Sequence, residues 1–306
     1  MKRYRDIAGD GGSNIVRQVQ AQQEALRKRL ASITYLVGVM SGKGGVGKSS
    51  IAVNLAATLA VQGWQVGILD ADINGPSVAR LLGVRDEPLR ETADGIEPVR
   101  AAAGLKVMSI DLFLPREESP VLWTAPTQRD AYTWRGMMEA LALREMLADT
   151  CWGPLDVLIV DLPPGTDKLP NLVDILPRFN GCLTISQPSQ LSQFVVAKAI
   201  AMAREWFKTP VLGLVINMAG HVCSHCGHEE ALFPVEDLEA LSRRWQLPIL
   251  ARLPFDPKFS LAADQGRPYV LDCPQAPLSL AFGRLASRVK DCLLARAADG
   301  HSGPSP

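Results

Sequence analysis

The stretch Ser41-Gly-Lys-Gly-Gly-Val-Gly-Lys-Ser49 decides how the chain folds. It follows an apolar β-like run, Ile33 to Met40, and opens a helix-like run, Ser50 to Gln62. From Gly42 it reads G-x-x-x-x-G-K-S, the phosphate-binding loop, in the strand–loop–helix setting that loop requires. Gly42, Gly44, Gly45 and Gly47 let the backbone around Lys43 and Val46 curl, so that consecutive N–H groups point inward as an anion nest. The helix that opens at Ser50 adds its positive N-terminal end. Lys48 is placed to reach the outer phosphates, and the Ser49 hydroxyl to take one position on Mg²⁺. A plain Gly-rich turn would not need all eight positions of the motif. Residues 42–50 are therefore expected to hold a nucleotide.

A second lysine, Lys43, stands inside the loop, where an ordinary phosphate loop tolerates almost any residue. A cation there does not easily fold back onto phosphates held by its own loop, and is better placed to reach a nucleotide on a facing subunit. The pattern resembles the deviant phosphate loop of dimerising ATPases related to MinD, ParA, nitrogenase reductase and Mrp.

At 306 residues the chain suits one large α/β domain or two small ones. Hydrophobic content of 47% allows a well-covered core. Formal net charge is zero, so no global field favours nucleic acid or an anionic membrane. Neither an apolar signal segment nor a long uncharged apolar run stands out, so no membrane span is expected. Six cysteines, two of them in a single C-x-x-C, do not make a disulfide framework and suit a reducing cytoplasm. Cys151, Cys182, Cys273 and Cys292 lie in apolar or helical contexts and read as small core residues.

Residues 1–33 read as a polar and helical extension, with a helix-like run from Asn14 to Leu30. Beyond it, short apolar strands alternate with helices. The expected strands are Thr34–Met40, Gln65–Leu69, Leu105–Ile110, Leu155–Val160, Cys182–Ser186, Val211–Ile216 and Ile249–Leu253. The main helices are expected at Thr127–Leu147, Leu191–Phe207, Val235–Gln246 and Leu278–Leu294. Strands apolar on both faces and separated by helices predict a doubly wound, mainly parallel sheet flanked by helices on both faces. No internal repeat or linker divides residues 34–296, which read as a single domain, and 297–306 as a disordered tail.

Three further clusters carry chemistry. Asp70-Ala-Asp72 ends the second strand, at the edge where open α/β sheets bind ligands. One carboxylate can hold the Mg²⁺ water shell and the other can orient an attacking water; Ser77 is a candidate cap for the short helix Val78–Leu82. Val157-Leu-Ile-Val-Asp161 is a buried strand presenting one carboxylate to the same ion, followed by the rigid turn Pro163-Pro-Gly165. That turn can sense the γ-phosphate and move on hydrolysis. Last comes Asn217-Met-Ala-Gly-His-Val-Cys223-Ser-His-Cys226-Gly-His228. A C-x-x-C pair is half of a tetrahedral metal site. It closes either with local histidines, His221, His225 and His228, giving zinc, or with the same pair from a second subunit, giving a shared Cys₄ site for zinc or an iron–sulfur cluster.

Taken together, Ser41–Ser49, Asp70-Ala-Asp-Ile-Asn-Gly-Pro-Ser77, Trp134-Arg-Gly136, Trp152-Gly153, Asp161-Leu-Pro-Pro-Gly-Thr166, Cys223-Ser-His-Cys-Gly227 and Gly266-Arg-Pro268 resemble the Mrp/ApbC family of iron–sulfur cluster carrier ATPases over roughly residues 34–290. The resemblance implies ATP hydrolysis, a homodimer, and a cluster, of 4Fe–4S type, bridging Cys223 and Cys226 of both subunits. It implies that Asn217 recognises adenine, Lys43 acts across the interface, and Asp72 positions the hydrolytic water. Ser49, Asp70 and Asp161 are the expected Mg²⁺ residues. Lys43, Lys48 and Asp72 are the expected catalytic residues, and apo iron–sulfur proteins the expected clients. Four departures stand out. Gly165-Thr-Asp-Lys168 brings the aspartate one place early; Met137 stands where proline is expected; Arg116–Thr133 is long; and the small N-terminal domain of many bacterial relatives has no counterpart before the phosphate loop.

The competing reading is a positioning ATPase of the MinD/ParA type acting on membrane or DNA. Against it, there is no basic amphipathic helix at the C-terminus, no net positive charge and no helix-turn-helix segment. A nitrogenase-reductase-like electron donor would carry its cluster cysteines far apart in sequence.

Overall fold

The computed structural model describes residues 24–115, 131–165, 179–205, 208–222, 225–226, 228–233 and 238–298. Eleven strands are assigned among them. They are β1 (Ile33–Ser41), β2 (Val66–Asp70), β3 (Arg90–Thr92), β4 (Gly95–Glu97), β5 (Val99–Arg100), β6 (Lys106–Met108), β7 (Leu155–Asp161), β8 (Gly181–Ser186), β9 (Val211–Val222), β10 (Glu229–Glu230) and β11 (Ile249–Phe255). The helices are α1 (Lys48–Val61), α2 (Val78–Leu81), α3 (Ala131–Asp149), α4 (Gln190–Glu205), α5 (Leu238–Trp245), α6 (Pro257–Asp264), α7 (Tyr269–Asp272) and α8 (Pro277–Ala298).

Nine strands form one sheet, with β11, β9, β8, β1, β7, β2, β6 and β5 side by side and β10 against the far end of β9. The pairs from β11 to β6 are all parallel; only β5 and β10 run antiparallel to their neighbours. Alternate side chains of a strand leave by opposite faces, and the core follows that rule. Val37 and Val39 of β1, with Val157 and Ile159 of β7, join the layer under α1 and α8. Leu36 and Met40, with Leu158 and Val160, join the layer under α3 and Trp152. Because both faces are covered, the central strands are apolar throughout rather than alternating.

Helix α1 is buried continuously from Ile51 to Leu59, held between the sheet and α8. Such a helix has little polar face left, which explains the unbroken Ile-Ala-Val-Asn-Leu-Ala-Ala-Thr-Leu run. It begins at Lys48, two residues before the expected start, so both motif residues Lys48 and Ser49 stand in its first turn.

Other differences have local causes. The expected strand 105–110 stops at Met108, because Ser109 Oγ accepts from Asp111 N and starts a 3₁₀ turn, Ile110–Phe113. β9 runs six residues beyond the expected Ile216, through Asn217 and His221 to Val222. The β3–β4 hairpin is a separate, largely exposed pair that was not foreseen. Ser77 holds the N-cap position of α2 but makes no capping bond with its side chain. The Asp70 carboxylate does that work instead, accepting from Ser77 N at 2.8 Å and Val78 N at 3.0 Å.

Residues 24–30 are helical, and Leu30 is in the core beside Ile33. Arg29 Nε donates to the Ala148 carbonyl at the end of α3. The expected helix over residues 14–23, the segment 116–130 and the Asp167-Lys168 departure lie outside the described residues, as does the tail from residue 299.

Candidate functional site: a phosphate loop and a cysteine hairpin

β1 delivers the chain to the carboxyl edge of the sheet at Ser41, and α1 leaves from the same edge at Lys48. Between them Gly47 takes a left-handed φ of 86° and supplies no side chain to cap the helix. The first-turn N–H groups of α1 thus remain available to an anion. Two glycines are demanded by space. A Cβ on Gly42 would come within 2.6 Å of the Val195 backbone in α4, and one on Gly47 within 2.6 Å of Asn217 Nδ2. The loop is thus pressed between α4 and β9.

The loop lines a cavity of about 280 Å³. Ser41, Lys43, Gly44, Gly45, Gly47, Lys48, Ser49 and Ser50 form one wall, and Asp72, Ser77, Leu81 and Pro164 the other. Eight of the twelve are thus contributed by the quoted stretch and the residue after it. Gly42 and Val46 are buried behind this surface.

Asp70 and Asp161 are register partners on β2 and β7, so their carboxylates end side by side, both fully out of solvent. Asp161 Oδ1 accepts from Lys48 Nζ at 2.5 Å and Oδ2 from Ser49 Oγ at 2.5 Å. Asp70 accepts from the backbone N–H groups of Asp72, Ser77 and Val78 and from Ser109 Oγ. Burial, then the Asp161 charge, pushes the Asp70 carboxyl up to about 7, against the lowering effect of Val78 N–H, Ser77 N–H and Lys48. Burial likewise raises Asp161, with Lys48 opposing it. Two buried carboxyl groups thus share one ammonium. Together with the Ser49 hydroxyl, they are hard oxygen donors of the kind Mg²⁺ takes.

Asp72 is placed differently. It is half-buried, lines the cavity, and sits at the start of the turn closed by Gly75 N–H to its carbonyl at 3.2 Å. The Pro-Pro-Gly turn after β7 is laced to β1, with Leu162 N donating to Val39 O and Gly165 N to Ser41 O. Ser109 is the functional neighbour that sequence reading missed. Its signal was a lone polar residue directly after an apolar strand, on the edge where Asp70 also ends.

β9 links this cavity to the cysteine loop. Asn217 Nδ2 donates to the Val46 carbonyl of the phosphate loop at 2.9 Å. The next residue, Met218, takes a left-handed φ of 56°, and the strand then continues to Val222. There it pairs with β10, His221 opposite Glu230 and Val222 opposite Glu229. His225 and Cys226 therefore lie between the two antiparallel strands β9 and β10. Both are exposed, and so is His228; Cys223 lies outside the described residues. The His221 ring packs 6.3 Å from Phe255 on β11 with its Nδ1 buried and unpaired among the described residues. No group of three or more metal-ligating side chains occurs among the described residues. Of the remaining cysteines, Cys182 is buried in the sheet, its thiol pushed up to about 12 by burial, and Cys151, Cys273 and Cys292 are half-buried.

A parallel sheet flanked by helices, with a phosphate loop and two buried carboxylates at its carboxyl edge, defines a nucleotide-binding P-loop NTPase. Comparison with known proteins narrows this: residues 32–290 match the NUBPL iron-transfer P-loop NTPases, and the chain belongs to that family of iron–sulfur cluster carrier NTPases. It is 38% identical over 273 residues to an iron–sulfur cluster carrier protein of Saccharolobus solfataricus, covering 89% of this chain and 88% of that one. It is similar to the solved nucleotide-binding protein of Archaeoglobus fulgidus in complex with ADP, at a TM-score of 0.70 and 35% identity over 85% of this chain and 96% of that chain. A chain of the MinC:MinD cell division protein complex of Aquifex aeolicus shares the fold at a TM-score of 0.59 and 18% identity, over 84% of this chain and 96% of that chain. Among the described residues no helix is long and apolar enough to cross a membrane.

Proposed function

We propose that this protein is an ATP-binding and ATP-hydrolysing carrier that assembles an iron–sulfur cluster between two copies of itself and hands it to apoproteins in the cytoplasm. The observation that carries the proposal is β9, a single strand that touches the phosphate loop through Asn217 and ends at Val222, at the hairpin that carries Cys226. A rigid strand transmits displacement along its length, so a nucleotide that shifts Val46 acts on the cysteines at the far end. The nucleotide-binding role follows from the loop geometry, and the cargo from the thiolate pair together with relatives that are iron–sulfur carriers.

The residues divide as follows. The backbone of Gly42–Ser50 cradles the phosphates; Lys48 leaves Asp161 for the β- and γ-phosphates; Ser49, Asp161 and, through water, Asp70 hold Mg²⁺. Asp72, which alone of the acidic trio faces the cavity half-exposed, orients the attacking water. Asn217 keeps Oδ1 to accept from the adenine amino group while Nδ2 stays on Val46. Lys43, half-exposed at the cavity mouth, completes the partner's site. Cys223 and Cys226 from each copy ligate one 4Fe–4S cluster, the substrate that is carried. Anaerobic reconstitution with iron and sulfide tests this. Wild-type protein is expected to gain cluster absorbance that Cys223→Ala and Cys226→Ala each lose; a cluster retained by both variants would overturn the ligand assignment.

A further inference from the structure

A second cavity, of about 330 Å³, opens on the opposite flank of the domain from α3, where β11 meets α5 and α8. It is lined by Ile249, Leu250, Ala251 and Ala281 and by three arginines, Arg252, Arg284 and Arg288, against the single carboxylate of Glu239. The charges are not mutually satisfied. Arg252 is paired with Glu239 at 2.5 Å. Arg288 Nη1 holds the Ile249 and Leu250 carbonyls at 3.2 and 2.8 Å. Arg284, exposed on α8, has no hydrogen-bond or ion-pair partner among the described residues. One turn before it, Leu280 is 49% exposed. Unpaired guanidinium beside apolar surface is the chemistry that grips a carboxylate carried next to an aliphatic side chain.

We infer that this cavity docks an acidic, leucine-like segment of the protein that receives the cargo. The inference deepens the proposed carrier function by naming how a recipient is held. Position supports it: Arg252 is the register partner of Ile216 and Phe255 of His221, so the cavity lies beside the strand that ends at the cysteine hairpin. Phe255 stands three residue steps beyond Arg252, roughly 10 Å at about 3.3 Å per residue. A segment anchored in the cavity thus leaves its protein near His221, at the base of the hairpin that carries Cys226. Net charge across the lining residues is two positive, in a chain that is neutral overall. Arg288 already engages β11 backbone carbonyls, at Ile249 and Leu250, which favours side-chain capture over strand addition there.

Fluorescence anisotropy with a labelled (Asp-Leu)₄ peptide and the full-length, cluster-free protein tests the inference, with (Asn-Leu)₄ and inorganic phosphate as comparison probes. Saturable, salt-weakened binding of the acidic peptide is expected. Arg284→Glu should weaken it about tenfold or more, Arg284→Lys much less, with ATP turnover and cluster loading unchanged in both. Absence of acidic-peptide binding, equal binding of (Asn-Leu)₄, or indifference to Arg284→Glu would overturn the inference. So would full competition by millimolar phosphate, which would make the cavity a small-anion pocket. Cluster loading does not enter the measurement, so failure here leaves the carrier function standing, and loss of the cluster in the cysteine variants would leave this result untouched.

Discussion

The Lys48 ammonium lies 2.5 Å from Asp161 Oδ1, and the two side chains are 6% and 0% exposed. The phosphate-loop lysine is therefore held out of solvent. It neutralises a buried carboxylate on β7, and its move to the phosphates must be matched by a cation that replaces it at Asp161. In the proposed function Mg²⁺ arriving with the nucleotide would do that, coupling metal and nucleotide binding in one exchange.

Lys48→Ala is accordingly expected to harm the nucleotide-free protein as well as its ligand affinity. Removing one partner of a buried ion pair leaves the other charge uncompensated, at a cost of about 3–5 kcal/mol. Urea unfolding of the apo protein reads this directly. A Lys48→Ala variant as stable as wild type, defective only in binding, would show that Asp161 is not charged in the apo state.

Asn217→Ala removes both a hydrogen bond to the phosphate loop and the acceptor assigned to adenine. Loss of the bond to Val46 leaves a buried carbonyl unsatisfied, worth about 1–3 kcal/mol. Affinity for ATP and GTP should both fall, and the preference for ATP should shrink, measured by calorimetry with each nucleotide. An unchanged ATP preference would remove Asn217 from base recognition while leaving its hold on the loop.

Gly47→Ala tests the packing of the loop itself. The added methyl would meet Asn217 Nδ2 at 2.6 Å and sit at a φ of 86°, which alanine adopts only with strain. Nucleotide binding is expected to fall below detection while circular dichroism still reports a folded sheet.

The apo protein should also lose stability as pH rises toward neutrality through Asp70. Its folded carboxyl is raised to about 7 from an ordinary 3.8, so between those values the folded chain binds more protons than the unfolded one. Stability then falls with increasing pH across that window. Mg²⁺ with nucleotide, by favouring the ionised form, should flatten or reverse the slope. Thermal melts from pH 5 to 8 with and without Mg-nucleotide check the sign.

What the sequence disclosed follows from where side chains are buried. β1, β2, β7 and β8 are buried on nearly every residue, so each reads as an apolar run and their parallel order follows from the helices between. β9 was legible only to Ile216. Beyond it, Asn217, Gly220 and His221 break the apolar pattern because they serve the phosphate loop and the hairpin rather than the core. The exposed β3–β4 hairpin has no buried face to pattern it. Spacing along the chain placed Lys48, Ser49, Asp70 and Asp161 at one edge. It did not reveal that Asp70 caps α2 in place of Ser77, because that bond joins residues seven apart through a turn.

The central claim is that one cluster is shared between two chains through Cys223 and Cys226. Sedimentation equilibrium combined with iron and sulfide analysis of the reconstituted protein tests it most directly. A dimer with about two irons per chain, reverting to iron-free protein in both cysteine variants, is the predicted result for a 4Fe–4S cluster. A monomer that carries a full cluster on its own, or a metal content indifferent to Cys223→Ala and Cys226→Ala, would contradict it.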